Sequence, residues 1–345
     1  MTESLRFPAE WEPQSAVLIA WPHLDTDWSP RLVDVEETYI ALVDAITAFE
    51  PVVICVIDDD LQAYAEARLS SARVDMSRVR FVEVGYDDTW LRDTGPIALV
   101  GPNTDSSKLL DFRFTGWGGK FEASRDDRLI DALCERELFS ASERRQIDFA
   151  LEGGGIETDG AGTLLTTWRC LHERHPQASR TELTHKLCEW LIQDRVLWLE
   201  HGHLEGDDTD AHIDTLARFA AEDVIVYQAC DDVSDTHFLE LQAMAEELAA
   251  LRTRDGRPYR LFALPWPRPI FDEGRRLAAS YANFLIVNGA VLVPAYGDPA
   301  DARAQAVLAE AFPGRSIVPI PCRPLIWQNG SLHCITMQLP AGVLS

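Results

Sequence analysis

The chain has 345 residues, 46% hydrophobic and 25% charged, enough to bury a sizeable core in one large domain or two ordinary ones. Its 31 basic residues stand against 56 acidic ones, a net charge of −25. That balance argues against a nucleic-acid binder, which needs a basic face, and it suits a cationic ligand as well as plain solubility.

Seven scattered cysteines, Cys55, Cys134, Cys170, Cys188, Cys230, Cys322 and Cys334, include no Cys-x-x-Cys pair, so neither a disulfide framework nor a zinc knuckle is expected. The N-terminus lacks a basic start followed by a long apolar run, and no stretch is apolar for long enough to cross a bilayer. The expectation is a soluble cytoplasmic protein with no membrane partner.

The first predicted element is a buried strand, Ser15 to Pro22, stopped by its proline. Apolar residues at helical spacing then predict an amphipathic helix over Arg31 to Glu50. A strand (Val52 to Ile57), a short helix (Leu61 to Leu69) and a strand (Val79 to Val84) follow. Asp87 to Pro96 is polar and turn-rich and reads as a loop outside the core.

From there a plan repeats. Ile97 to Val100 and Leu109 to Phe114 are strands joined by the turn-forming Gly101-Pro102-Asn103-Thr104-Asp105, followed by a helix (Asp126 to Phe139) and a strand (Ile147 to Leu151). Next come a strand pair around Ile156 and Thr163 to Thr167, a helix (Ser179 to Gln193) and a strand (Arg195 to Leu199). Ser179 with Glu182 three residues on has the form of a capping box. The third pair, Ile213 to Ala220 with Asp223 to Ala229, precedes a helix (Asp235 to Leu251) and a strand (Tyr259 to Leu264). The fourth pair, Tyr281 to Val287 with Ala290 to Pro294, turns on Asn288-Gly289, a strong hairpin signal. A helix (Pro299 to Ala311), a strand (Ser316 to Ile320) and a last strand (Leu332 to Leu339) end the series.

The plan strand, strand, helix, strand thus occurs about five times, and it implies similar modules arranged radially. The fifth hairpin lacks its second strand, and Ser15 to Pro22 is the segment left to supply it, which would close the ring into one domain spanning residues 1–345.

Asp88, Glu152, His212 with Asp214, and Cys334 sit at equivalent places in this plan, 64, 60 and 122 residues apart, each where the chain enters the next hairpin. In a ring of modules such positions converge. Singly each has an ordinary structural explanation: a buried thiol, loop acids, a core histidine. As a set they fit one chemistry. A cysteine thiolate is a nucleophile, a histidine shuttles protons near neutral pH, and a glutamate can orient the imidazole. Asp88 and Asp214 remain as a carboxylate pair, which repels unless a cation lies between. A planar guanidinium fits, since its N–H forks match carboxylates. The set can then attack a guanidinium carbon, release ammonia and hydrolyse the thiouronium that results. Trp117 is either packing or a wall for the aliphatic part of such a substrate.

The same segments carry a resemblance. Phe7-Pro8-Ala9-Glu10-Trp11-Glu12-Pro13 with Trp21-Pro22-His23, Asp88 to Pro96, Trp117-Gly118-Gly119-Lys120, Leu151-Glu152-Gly153-Gly154 with Asp159-Gly160 and Gly162 to Thr167, Thr209 to Asp214, and Leu332 to Thr336 occur in the order of one family. On these six segments the chain resembles the agmatine deiminase / Porphyromonas-type peptidyl-arginine deiminase family of the guanidino-modifying (pentein) superfamily.

The resemblance implies an α/β fold, a five-bladed propeller with pseudo-fivefold symmetry. It implies Cys334 as nucleophile, His212 as general acid and base, Asp88 and Asp214 gripping the guanidinium, and Glu152 supporting the site. No metal or organic cofactor is implied. Agmatine would become N-carbamoylputrescine and ammonia, a step toward putrescine.

The sequence departs from the family pattern at Ala211, where a glycine is common, and at Asn329-Gly330-Ser331, which replaces a glycine-richer turn. Family members acting on peptidyl-arginine tend to be exported with extra domains, neither of which is apparent here. A small cationic guanidino substrate is therefore expected. Arginine, free or at a peptide end, would need a cation for its carboxylate, and Arg113 is a candidate. Two other classes compete: a metallohydrolase built on His201, His203, Asp207, Asp208, Asp210, His212 and Asp214, and a module that sequesters polyamines. A homodimer is compatible with the sequence.

Overall fold

In the computed structural model, the expected repeat is present among the described residues as five β-sheets: four pair one strand antiparallel with the next and then cross over through helix to a parallel third strand, and the fifth pairs the last strand antiparallel with the first and adds two parallel strands. The structure describes residues 5–102, 107–139 and 142–344. It falls into two compact units, Met1–Leu5 with Glu12–Gly153 and His333–Ser345, and Arg6–Trp11 with Gly154–Leu332.

The first unit holds two sheets. One has the order Met337–Pro340, Gln14–Ala20, Val52–Val56, Val79–Glu83. Its first pair is antiparallel, with Ala16 opposite Leu339, Val17 opposite Gln338 and Leu18 opposite Met337. The first strand of the chain therefore completes the last hairpin, as its pattern predicts. Helices Leu32–Thr47 and Asp59–Ser71 make the crossovers to the two parallel strands. The Val52–Val56 strand is buried along its whole length, which is why it reads as an unbroken apolar run rather than an alternating one. The other sheet orders Ile97–Val100, Ser107–Arg113, Ser142–Ala150, with the short helix Leu129–Glu135 in the crossover. Leu18, Val53, Leu91, Leu109, Leu133 and Met337 belong to the core of this unit.

The second unit holds three sheets of the same plan: Ile156–Thr158, Thr163–Thr167, Arg195–Leu199; Ala217–Ala221, Val224–Gln228, Arg260–Leu264; and Leu285–Val287, Ala290–Ala295, Ser316–Pro321. Helices Arg180–Leu191, Phe238–Ala250 and Ala300–Ala311 lie in the respective crossovers. The capping box forms as predicted: Ser179 Oγ accepts from the Glu182 amide at 3.3 Å, and the Glu182 carboxylate accepts from the Ser179 amide at 2.8 Å. Asn288-Gly289 makes the hairpin turn, with Gly289 at φ 79°.

The structure departs from expectation in several places. Asp87 to Pro96 is not a solvated loop. Thr89, Arg92, Asp93 and Thr94 are buried, and Leu91–Thr94 is a short helical turn. Thr89, Arg92 and Asp93 are inside because each finds a side-chain partner there, as described below. The last strand begins at Met337, so Cys334 lies in a turn closed by the Thr336 amide and hydroxyl on the His333 carbonyl. A helix, Trp168–Arg174, and a small hairpin, Phe271–Asp272 with Arg275–Arg276, have no counterpart in the sequence reading. The predicted turn residues Asn103, Thr104 and Asp105 lie outside the described residues. Among the described residues no helix is long and apolar enough to cross a membrane.

Leu339, fully buried opposite Ala16, anchors the strand that follows Cys334. Leu339→Ala is expected to destabilise the protein by about 2–5 kcal/mol, read as a lower midpoint in chemical denaturation.

Candidate active site

In the first unit, Asp88 sits just past the end of the Val79–Glu83 strand. Its backbone is held by a neighbour that the sequence reading does not single out. The Asp126 carboxylate accepts from the amides of Asp87 (2.8 Å) and Asp88 (3.3 Å), and Asp87 returns the favour by accepting from the Arg125 amide at 2.8 Å. The next residue, Thr89, accepts from the indole N–H of Trp28 at 2.8 Å and donates its own amide to the Asp88 carboxylate at 2.7 Å. Burial pushes the Asp88 carboxyl up to about 7, with the Thr89 amide pulling the other way and Asp27 adding repulsion. Burial raises Asp126 to about 7 as well. The Asp88 position is thus one in which a carboxylate is short of positive charge.

Arg92, four residues on and buried, ties three segments together. Its amide donates to the Cys334 carbonyl at 3.1 Å, and its guanidinium reaches Gln338 and the Met337 sulfur, the latter at 3.6 Å. Its own carbonyl lies where a side chain on Gly153 would be: a Cβ there would come within 2.2 Å of it. A glycine is therefore required directly after Glu152. Glu152 is 1% exposed and follows the Ser142–Ala150 strand. Cys334 is 5% exposed.

Trp117 is buried, with its indole N–H on the Asp93 carboxylate at 2.9 Å and its ring edge-on to Phe114 and Phe121. Arg113 is paired with Asp148 at 3.0 Å in a half-exposed position.

In the second unit, His212 and Asp214 are both fully buried, Asp214 within the helical turn Ile213–Thr215. Their approach loop is tightly bonded. Asp207 accepts from the Thr209 and Ala211 amides at 3.0 and 2.8 Å, the Thr209 hydroxyl accepts from the His212 amide at 3.2 Å, and the Thr215 hydroxyl donates to the His212 carbonyl at 3.0 Å. Gly155 adjoins the imidazole: a Cβ there would be in ordinary contact, 3.8 Å from His212 Nε2 and 3.4 Å from Cys170 Sγ.

Four residues past Asp214, Arg218 is a fully buried cation. It is bonded to Glu157 at 2.6 Å, to Glu10 and to the Phe284 carbonyl at 2.9 Å, and lies over the Phe284 ring. Burial of an ion pair is tolerated only with hydrogen bonds of this completeness.

The rival metal set does not assemble. His201 and His203 face Glu240 at 3.5 and 3.3 Å and are half-exposed, Asp210 is paired with Arg174, and Asp208 accepts from Asn329. Among the described residues no three members of that set bring ligand atoms together.

Ala211, the departure from glycine noted in the sequence, has φ 71°, directly after Asp210 at φ 66°. A left-handed alanine is strained, so Ala211→Gly is expected to leave stability unchanged or raise it by up to about 1 kcal/mol, measured as a shift in Tm.

A family model described as Porphyromonas-type peptidyl-arginine deiminase matches residues 6–340. The agmatine deiminase of Pseudomonas aeruginosa (strain UCBPP-PA14) is 35% identical over 364 residues, which cover 98% of this chain and 96% of that protein. Among solved structures, a cysteine-to-serine variant of C. jejuni agmatine deiminase with substrate bound superposes with a TM-score of 0.90 at 34% identity, covering 98% of this chain and 96% of that one. The agmatine deiminase of Enterococcus faecalis superposes with a TM-score of 0.88 at 29% identity, covering 98% and 96%. The α/β fold is the one these deiminases share, and the chain belongs to the Porphyromonas-type peptidyl-arginine deiminase family.

Proposed function

We propose that this chain is an agmatine deiminase, converting agmatine and water to N-carbamoylputrescine and ammonia. The observation that carries this reading is full-length similarity to agmatine deiminases, in sequence and in structure, including one with substrate bound. The whole chain acts as one catalytic domain in this reading, a five-bladed propeller of the five sheets. Its place is the cytoplasm, and its acidic balance suits a dicationic substrate.

The residue roles follow the sequence reading. Asp88 and Asp214 grip the guanidinium, and Trp117 walls the site on the side of Asp93. Cys334 as thiolate adds to the guanidinium carbon and forms a C–S bond. His212 gives a proton to the leaving nitrogen, so that ammonia departs and a thiouronium remains. His212 then takes a proton from water as that water adds to the same carbon. Collapse expels the thiolate and leaves the ureido product. Glu152, buried, keeps the imidazole in the orientation and charge state these transfers need. The substrate-bound relative carries serine where it would have a cysteine, the change that leaves a substrate unreacted when the nucleophile is a thiol. A carboxyl at Asp88 raised to about 7 supports a cation as the missing partner there.

Purified protein is to be incubated with agmatine, free arginine and an N-blocked arginine peptide, with Cys334→Ala as control. The expected result is ammonia and ureido product from agmatine only, and none from the variant. Product from the arginine compounds would move the substrate. Turnover by the variant near the wild-type rate would reject Cys334 as nucleophile.

The acid limb of the pH profile tests the clamp. Guanidinium binding needs Asp88 ionised, so kcat/KM for agmatine is expected to fall as pH drops through about 7, approaching tenfold per unit. Asp88→Asn is expected to raise KM, lower kcat and abolish that limb. A wild-type profile in the variant would make Asp88 a loop residue only.

A further inference from the structure

The helix Trp168–Arg174, absent from the sequence reading, holds the loop that carries His212 at both ends. At its N-terminal end, the cap residue Thr167 donates its hydroxyl to the Ala211 carbonyl at 2.8 Å, while accepting the Cys170 amide at 3.3 Å. At its C-terminal end, Arg174 donates one guanidinium nitrogen to the Asp210 carboxylate at 2.7 Å and the other to the Thr209 carbonyl at 3.0 Å. The Arg174 side chain is only 1% exposed. Between these grips the helix presents Cys170, whose sulfur lies beside Gly155, as the His212 ring does.

The grips fall where the backbone needs them. Asp210 and Ala211 are consecutive non-glycine residues in the left-handed region, at φ 66° and 71°. Such a conformation is strained and persists only where the surroundings over-determine it. Asp207 ties the loop to itself, but a turn bonded only to itself can still swing as a unit. The bonds from Thr167 and Arg174 attach it to a helix, and a fork of two nitrogens fixes direction as well as distance. His212 is the next residue in the chain.

We infer that Arg174, with Thr167, is a positioning residue for His212: the helix Trp168–Arg174 splints the strained Thr209-Asp210-Ala211 turn and thereby sets where the imidazole stands during proton transfer. The inference rests on the proposed role of His212 as proton carrier. Neither Arg174 nor Thr167 touches the reacting atoms in this scheme. Their loss therefore slows the chemical steps while leaving the substrate clamp in place.

The test is steady-state kinetics with agmatine, together with thermal melts, on the full chain carrying Arg174→Met, Arg174→Lys, Thr167→Val or His212→Asn. Arg174→Met is expected to lower kcat by about 10²-fold, the loss that follows a misplacement of about 1 Å. Its KM should stay within about twofold, since uniform binding is untouched. Lysine keeps the charge but cannot serve Asp210 and the Thr209 carbonyl together, so Arg174→Lys and Thr167→Val should each give a smaller loss of the same kind. All three should displace the pH dependence of kcat, which a merely structural role would not move.

Should Arg174→Met fail to fold, the other two variants decide by the same criteria. Folded Arg174 and Thr167 variants with wild-type kcat and pH profile, or with changes confined to KM or Tm, overturn the inference. His212→Asn separates the two levels. If it is inactive while the splint variants match wild type, the positioning role fails alone. If it retains wild-type turnover, the reading beneath it fails.

Discussion

The antiparallel pairing of Gln14–Ala20 with Met337–Pro340 is the contact on which the first unit depends. It joins segments more than 300 residues apart, and it fixes where Cys334 can be, because only two residues separate that cysteine from the strand. A slip of one residue in this register would turn Met337 and Leu339 away from the core they fill and carry the cysteine turn with them. Arg92 adds a second hold, with its amide on the Cys334 carbonyl and its guanidinium on Met337 and Gln338. The thiol is thus located by a sheet and by a buried cation together.

Both units keep ionisable groups out of water, by different means. Arg218 is surrounded by Glu157, Glu10 and two carbonyl oxygens and rests on an aromatic face, so its charge is compensated within the fold. Asp88 is bonded by amides and a hydroxyl-bearing neighbour but stands near other carboxylates, and its affinity for a proton rises accordingly. The first arrangement is a finished structure. In the second, the cost of burying the carboxylate is only partly offset by the bond from the Thr89 amide.

Much of this was legible in the sequence because it is written in periodicity. The five strand-pair modules, the capping box at Ser179 and Glu182, the Asn288-Gly289 turn and even the pairing of the first strand with the last follow from alternation, helical spacing and turn chemistry. What was missed has no period to show. Trp168–Arg174 is two turns long, with only Cys170 and Leu171 among its buried residues, too little to display an apolar stripe. Asp87 to Pro96 looks like a loop because its residues are polar. It is buried because Arg92, Asp93 and Thr89 find partners in Met337, Trp117 and Trp28, from 24 to 245 residues away. Composition records the polarity but not the partner. Asp126 and Arg174 escaped for the same reason: each works through backbone groups of another segment, and a backbone amide or carbonyl leaves no mark on the residue type that carries it.

The pairing of the first strand with the last also orders events in time. A ribosome adding roughly 5–20 residues per second makes Gln14–Ala20 early and Met337–Pro340 some 15–60 s later. Through that interval the Val52–Val56 strand can cover one edge of Gln14–Ala20, while the other edge stays open to any extended segment that meets it. The nascent chain therefore carries an unfilled β-edge for nearly the whole of its synthesis, and the segment that fills it brings the cysteine. The cysteine and the cover for that edge arrive together, so a truncated product would lack the one and leave the other open.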